Sequence, residues 1–195
     1  MRKAKIIRKT EEVSLVLELD LDGKGEYSID TGIEFLDHML SLFAKHGLFS
    51  LKLRVKGDLG VDIHHTNEDT AIALGEAFVK ALGAKKQIQR FSSAFVAMDE
   101  ALVRCVVDIS GRPYFKIKPG SWRAGKVVYT YSHFKQFLKA FTDHCRINLH
   151  LDILDKEDMH HVMEASFKAL GLALKDACSL DPRKKGVPST KGQID

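Results

Sequence analysis

Cysteine is scarce in this chain and never grouped: Cys105, Cys145 and Cys178 lie far apart, with no C-x-x-C spacing. An odd, scattered set of thiols excludes a disulfide framework and gives no thiolate zinc cluster. It fits reduced cysteines in a cytoplasmic protein. No apolar run approaches the roughly 20 residues of a membrane span, and no charged-then-apolar leader opens the chain. Aromatic residues are only 8%, acids are interleaved with bases, and no nucleic-acid motif is present, so a net charge of +4 does not point to DNA or RNA. The basic excess is local, at Arg2, Lys3, Lys5, Arg8 and Lys9 and again at Arg183, Lys184 and Lys185. It suits a solvated surface or a site for a small anion such as phosphate. Neither a G-x-G-x-x-G nor a P-loop pattern occurs, so nothing asks for a redox cofactor.

What is present is an ordinary globular composition: 195 residues, 45% apolar and 29% charged, enough for a sizeable core. Residues 4–8 and 13–21 alternate as half-buried strands do. Asp22-Gly23-Lys24-Gly25 is a turn, with a returning strand at 26–29. Apolar positions Ile33, Phe35, Leu36, Met39, Leu40, Leu42 and Phe43 give a helix from about Ile33 to His46, stopped by Gly47. A strand at 50–56 and a helix reaching about Leu82 complete the first half. The second half repeats the order, with strands at 93–97, 101–109, 114–118 and 147–154 and helices at 131–145 and from the second motif to about Ala177. Pro119-Gly120-Ser121-Trp122 breaks the third of these strands. This is an internal repeat with a period near 90 residues, too long for a solenoid. It predicts an α+β fold of two similar halves, about 1–88 and 89–180, related by a pseudo-twofold axis and forming one structural unit over 1–195.

The repeat carries the chemistry. Asp62-Ile63-His64-His65-Thr66-Asn67-Glu68 has the pattern D-x-H-H-x-x-E, and Asp158-Met159-His160-His161-Val162-Met163-Glu164 has it again. A single H-H-x-x-E is readily a polar helix start with two solvated histidines. Two copies hold four of the nine histidines, and that concentration favours ligands. A Glu one helical turn after a His can reach a common point with it. Adjacent imidazoles on a helix diverge by about 100°, so one ion cannot easily take both. The motif therefore predicts two ions, or ligands shared between the copies, in an N/O-ligated transition-metal site. The repeat also sets His38, beside Asp37 on the first helix, opposite Gln136, with His133 one turn earlier on the same face. Either Gln136 or His133 could complete the second site. His150 reads as structural, and His46 and His144 as helix-end residues.

Taken together, Thr31-Gly32-Ile33-Glu34-Phe35-Leu36-Asp37-His38-Met39-Leu40, the two H-H-x-x-E copies, Met98-Asp99-Glu100, Asp108-Ile109-Ser110-Gly111-Arg112-Pro113 and Pro188-Ser189-Thr190-Lys191-Gly192 strongly resemble the imidazoleglycerol-phosphate dehydratase family. The resemblance spans nearly the whole chain in the family's order. It implies a lyase that dehydrates imidazole glycerol phosphate to imidazole acetol phosphate in histidine biosynthesis, through a metal-bound imidazolate. It implies a duplicated fold, each half a four-stranded sheet with two helices, the helices packed between the sheets. It further implies two Mn2+ ions per active site and a cytoplasmic homo-oligomer of about 24 chains built from trimers, with sites at subunit interfaces. Metal ligands fall on His38, His64, His65, Glu68, His160, His161 and Glu164. An eighth family position, often His, falls on Gln136. Val13 and Glu157-Asp158-Met159 also depart from the usual pattern, without removing a ligand.

Glu164 is expected to act as ligand and proton-transfer group, with Glu12 and Asp99 the other acids near the substrate chain. Phosphate contacts are implied at Arg90, Arg112, Lys168, Ser189 and Lys191, with residues 181–195 forming a tail that orders over the phosphate. Two rival readings use the same motif: a dinuclear metallohydrolase, and a noncatalytic oligomer stapled by metal.

Overall fold

The computed structural model describes residues 2–118 and 129–194. Pro119-Gly120-Ser121-Trp122, read as the break after the third strand of the second half, lies outside the described residues. The elements run β1 (Lys3–Lys9), β2 (Val13–Asp20), β3 (Tyr27–Asp30), α1 (Glu34–Gly47), β4 (Ser50–Gly57) and α2 (His64–Leu82). They continue β5 (Phe91–Met98), β6 (Ala101–Asp108), β7 (Tyr114–Lys118), α3 (Tyr131–Cys145), β8 (Asn148–Asp155) and α4 (Met159–Cys178). Two four-stranded sheets result, ordered β1-β2-β4-β3 and β5-β6-β8-β7. Each has the same pairing: two antiparallel ladders, then a parallel one at the β3 or β7 edge. The duplicated α+β architecture is as the repeat predicted.

One strand sits elsewhere than expected. The 26–29 segment does run back, but it does not pair with β2, because β4 inserts between them. The cause is hydrophobicity. Leu51, Leu53 and Val55 of β4 are buried, whereas β3 is largely exposed, so the more apolar strand takes the interior position. β3 and β4 are then parallel neighbours, which requires a crossover, and α1 supplies it. The end of α1 also differs. Gly47 is still helical, and Leu48 at φ 55° forms the left-handed cap, its N–H reaching the Ala44 and Lys45 carbonyls. Arg146, at φ 57°, plays the same part after α3.

The inward faces of β2 (Val13, Leu15, Leu17, Leu19) and β6 (Ala101, Val103, Cys105, Val107) are buried under helices. α2 packs on β1 and β2, and α4 on β5 and β6. Helices then meet across the halves, α2 with α3 and α1 with α4. Both crossings use glycine for close approach. A Cβ on Gly75 would lie 2.7 Å from the Cys145 nitrogen and 2.8 Å from the Phe141 carbonyl, and one on Gly171 would lie 2.6 Å from the Phe43 carbonyl. Phe43, Phe78 and Phe141, from three different helices, form edge-on ring contacts in a core that is continuous across both halves. The cross-half helix pairing is what builds the site.

Candidate metal and active site

Each D-x-H-H-x-x-E motif opens a helix, and its Asp accepts from the first turn. Asp158 does so as the N-cap of α4, and Asp62 from one residue before the N-cap of α2. Asp62 Oδ1 accepts the His64 backbone N–H at 2.7 Å, and Asp158 Oδ1 accepts that of His160 at 2.8 Å. Asp37, beside His38, accepts from the backbone and hydroxyl of Thr31 and so secures the entry to α1. With the helix starts pinned, the histidines of each pair diverge, and they go to different places.

The first histidine of each pair meets the Glu four residues on. His160 Nε2 lies 3.0 Å from Glu164 Oε1, and His38 Nε2, arriving on α1 from the other half, lies 2.9 Å from the same oxygen. Glu164 Oε2 accepts from Lys168 at 2.7 Å. The ring of Phe35 stands edge-on to His160. Burial pushes the Glu164 carboxyl up, but Lys168, His38 and His160 donate against it and together hold it down at about 2. Two imidazole nitrogens and a carboxylate oxygen, mutually within 4.8 Å, are a donor set that fits a divalent transition ion. The three cysteines are buried away from it, their thiols pushed up by burial.

The pseudo-symmetric cluster lies between α2 and α3. His64 Nε2 is 3.7 Å from Glu68 Oε2, and Gln136 Nε2 is 2.6 Å from His64 Nε2. The structure therefore sets Gln136 at the corner that His38 occupies in the other cluster. His133 commits its Nδ1 to the Thr130 backbone N–H in the capping box of α3.

The second histidine of each pair is held by carboxylates from the strand turns. His65 Nδ1 lies 3.0 Å from Asp58 Oδ2 and 3.6 Å from Glu12 Oε2. His161 Nδ1 lies 3.0 Å from Glu100 Oε2, and its Nε2 is 3.8 Å from Asp99. These partners raise both imidazoles above the ordinary histidine value, chiefly through the hydrogen bonds to Asp58 and Glu100. A carboxylate on Nδ1 is the usual way to orient an imidazole whose Nε2 takes a metal. Sequence reasoning missed Asp58 and Glu100 in this role. The available signal was an acid beside each strand turn, but only the fold brings those turns to the motif helices.

The residues expected to contact phosphate divide. Lys168 is in the α1/α4 cluster. Arg90 instead lies before β5, its guanidinium spread over Asp108 (2.8 and 3.3 Å) and the Pro188 carbonyl (2.9 Å). Arg112 follows β6 at the same end, where the Ile109 N–H bonds the Arg90 carbonyl. The tail is ordered there too, with the Gln87 N–H on the Gly186 carbonyl and the Lys191 N–H on Ser189 Oγ. Asp99 lies at the far end of β5, eight residues or about 26 Å away. His150 points outward and packs on Tyr114.

Comparison with known proteins gives the family and the fold. The imidazoleglycerol-phosphate dehydratase family model matches residues 31–174. The chain is 55% identical over 194 residues to imidazoleglycerol-phosphate dehydratase of Thermoanaerobacter pseudethanolicus, covering 98% of this chain and 99% of that protein. It is 46% identical over 195 residues to that of Bacillus subtilis, with both chains covered in full. Among solved structures, it superposes on the enzyme from Staphylococcus aureus with a TM-score of 0.82, at 31% identity, covering 92% of this chain and 99% of the other. For the Pyrococcus furiosus structure, solved in complex with (S)-C348, the TM-score is 0.83 at 33% identity, with 97% and 100% covered. With two histidine–carboxylate clusters built across a duplicated fold, this chain belongs to the imidazoleglycerol-phosphate dehydratase family.

Proposed function

We propose that this chain is a metal-dependent hydro-lyase that converts imidazole glycerol phosphate to imidazole acetol phosphate, with manganese as the expected ion. The observation that carries the proposal is the convergence of His38, His160 and Glu164 from different halves on one point. A divalent ion held there supplies a Lewis acid for the nitrogens of an azole ring, which makes loss of hydroxide and of a weakly acidic C–H proton feasible at that ring's side chain.

The chain's own residues then have distinct tasks. Glu164 Oε1 binds the cluster together. Oε2 is proposed to carry a proton, but only after Lys168 leaves it, because an oxygen that already accepts from an ammonium is a weak base. A substrate phosphate competing for Lys168 Nζ would release that oxygen, coupling phosphate binding to proton transfer. Glu12 and Asp99, beside His65 and His161, are the other acids proposed to act on the substrate chain.

A substrate whose ring and phosphate are separated by under about 10 Å cannot bridge from the α1/α4 cluster to Arg112 and the tail of the same chain. We therefore propose composite sites in a homo-oligomer, where Arg90, Arg112, Ser189 and Lys191 of one copy meet Lys168 and the cluster of another. His65 and His161, each turned away from its own chain's cluster toward the strand-turn carboxylates, suit the same arrangement. Among the described residues no helix is long and apolar enough to cross a membrane, and a cytoplasmic location is proposed from the unpaired cysteines.

The test is to strip the protein with chelator, add Mn2+ back, and follow imidazole glycerol phosphate. Metal-dependent appearance of the ketone with phosphate retained is expected. Release of inorganic phosphate would identify a hydrolase instead, and turnover that survives full chelation would reject the metal reading.

A further inference from the structure

We infer that the two clusters hold divalent cations with unequal strength, because a buried chain of hydrogen bonds from Tyr129 through Asn67 turns the amide of Gln136, and not its carbonyl, toward His64. The inference rests on the cation-binding reading above and adds to it an asymmetry that the fold's near-symmetry does not suggest.

The polarity of the chain follows from one group that can only accept. Asn67 is fully buried, and its Nδ2 lies 3.0 Å from the backbone carbonyl of His133. A carbonyl has no proton to give, so the nitrogen of the Asn67 amide must face it. The same nitrogen lies 3.0 Å from Gln136 Oε1, while the Tyr129 hydroxyl donates to Asn67 Oδ1 at 2.8 Å. Tyr129 is itself buried, and its ring stacks on Phe35. Every polar atom of Asn67 is thereby committed.

With its oxygen held by Asn67, Gln136 presents its NH2 group to His64 Nε2 at 2.6 Å. That bond uses the imidazole lone pair that a cation would need. Amide hydrogens also repel a cation. To ligate through Oε1, Gln136 would have to turn over and leave a buried Asn67 hydrogen without an acceptor. The α2/α3 cluster thus offers His64 and Glu68 only, and a cation must first displace a hydrogen bond. The α1/α4 cluster offers three donors, His38, His160 and Glu164, with no amide among them. Its imidazoles already face a carboxylate oxygen, and Lys168 bears only on the other oxygen of Glu164. Asn67 and Tyr129 are positioning residues, acting through Gln136.

Calorimetric titration of the metal-free, assembled protein with Mn2+ tests this. Two classes of one ion per chain are expected, at least about tenfold apart in affinity, within the range by which groups around a ligand shift metal binding. Gln136→Leu should leave the weaker class unchanged or tighten it by roughly threefold, since an amide that is not a ligand loses nothing as one. Asn67→Leu should tighten the weaker class, by freeing Gln136 to turn its oxygen inward. Two classes of equal affinity, or a tenfold weakening in Gln136→Leu, would overturn the inference while leaving metal binding intact. No binding at either cluster would instead remove the cation reading and this inference with it.

Discussion

The α1/α4 cluster and the α2/α3 cluster are the same construction made twice, and two of the side chains that differ face the leading histidine and its Glu. Where the first has His38, the second has Gln136. Where Glu164 is backed by Lys168 one turn on, Glu68 is followed one turn on by Ile72. The consequences are visible in exposure: the Glu164 side chain is 9% exposed and the Glu68 side chain 46%. One carboxylate is gripped by three donors and the other stands in solvent near one imidazole. Backbone symmetry therefore sets where the ligands go, while single substitutions decide how strongly each set can act.

The sharpest way to break the comparison is to remove the carboxylates in parallel. Glu164→Gln should lower kcat by about 100-fold or more, because it removes both a ligand and a proton carrier. Glu68→Gln should cost less, about tenfold, since it removes only a weakly gripped ligand. Steady-state kinetics at measured metal occupancy decide it, and near-normal turnover of fully loaded Glu164→Gln would reject the role given to Glu164.

The ends of the two sheets give the next test. Arg2, before β1, grips Asp22 and the Cys178 carbonyl, whereas Arg90, before β5, grips Asp108 and the Pro188 carbonyl of the tail. Only the second-half arginine organises the proposed phosphate segment. Truncation after Val187 should raise KM by about tenfold or more with a smaller change in kcat, as expected when remote binding contacts are lost. Unchanged kinetics would show that the tail takes no part.

The helix crossings should respond alike, which sharpens the comparison from the other side. Gly75→Ala and Gly171→Ala each gain under about 1 kcal/mol in helix propensity. Each also drives a methyl into backbone atoms of the facing helix, and overpacking against an immovable neighbour costs about 1–3 kcal/mol. Both variants should lower the denaturation midpoint, by similar amounts. A neutral result at one crossing would show that the helix pair there can slide.

The smallest expected effect is electrostatic. In metal-free protein, Glu100→Gln should lower the titration midpoint of His161, and Asp58→Asn that of His65, as followed by NMR of the ring protons. The sign is set by the carboxylates, which favour the charged imidazoles. The stabilisation carried by the raised His161 is complete below its unfolded value and is lost as pH rises through its folded one. That carried by the lowered Glu100 is complete above its unfolded value and is lost as pH falls through its folded one. The Glu100 variant should therefore differ most from the parent between those two limits. An unmoved His161 midpoint would mean that Glu100 does not hold it.

The strand and helix periods, the duplication and the pairing of each leading histidine with a Glu four residues on were all legible in the chain, because they depend on neighbours within about one turn or one strand. Even the divergence of His64 from His65, and of His160 from His161, follows from helix geometry alone. What could not be read there was which half would complete which cluster. His38 meets Glu164 rather than Glu68 because α1 packs on α4, a pairing set by glycine contacts and core burial far away in sequence. In the same way β4 displaced β3 from β2 through its greater apolar burial, and Asn67 gained control of Gln136 only because α2 lies against α3. Local periodicity decides which groups a segment carries, but their convergence depends on tertiary packing, which no local pattern encodes.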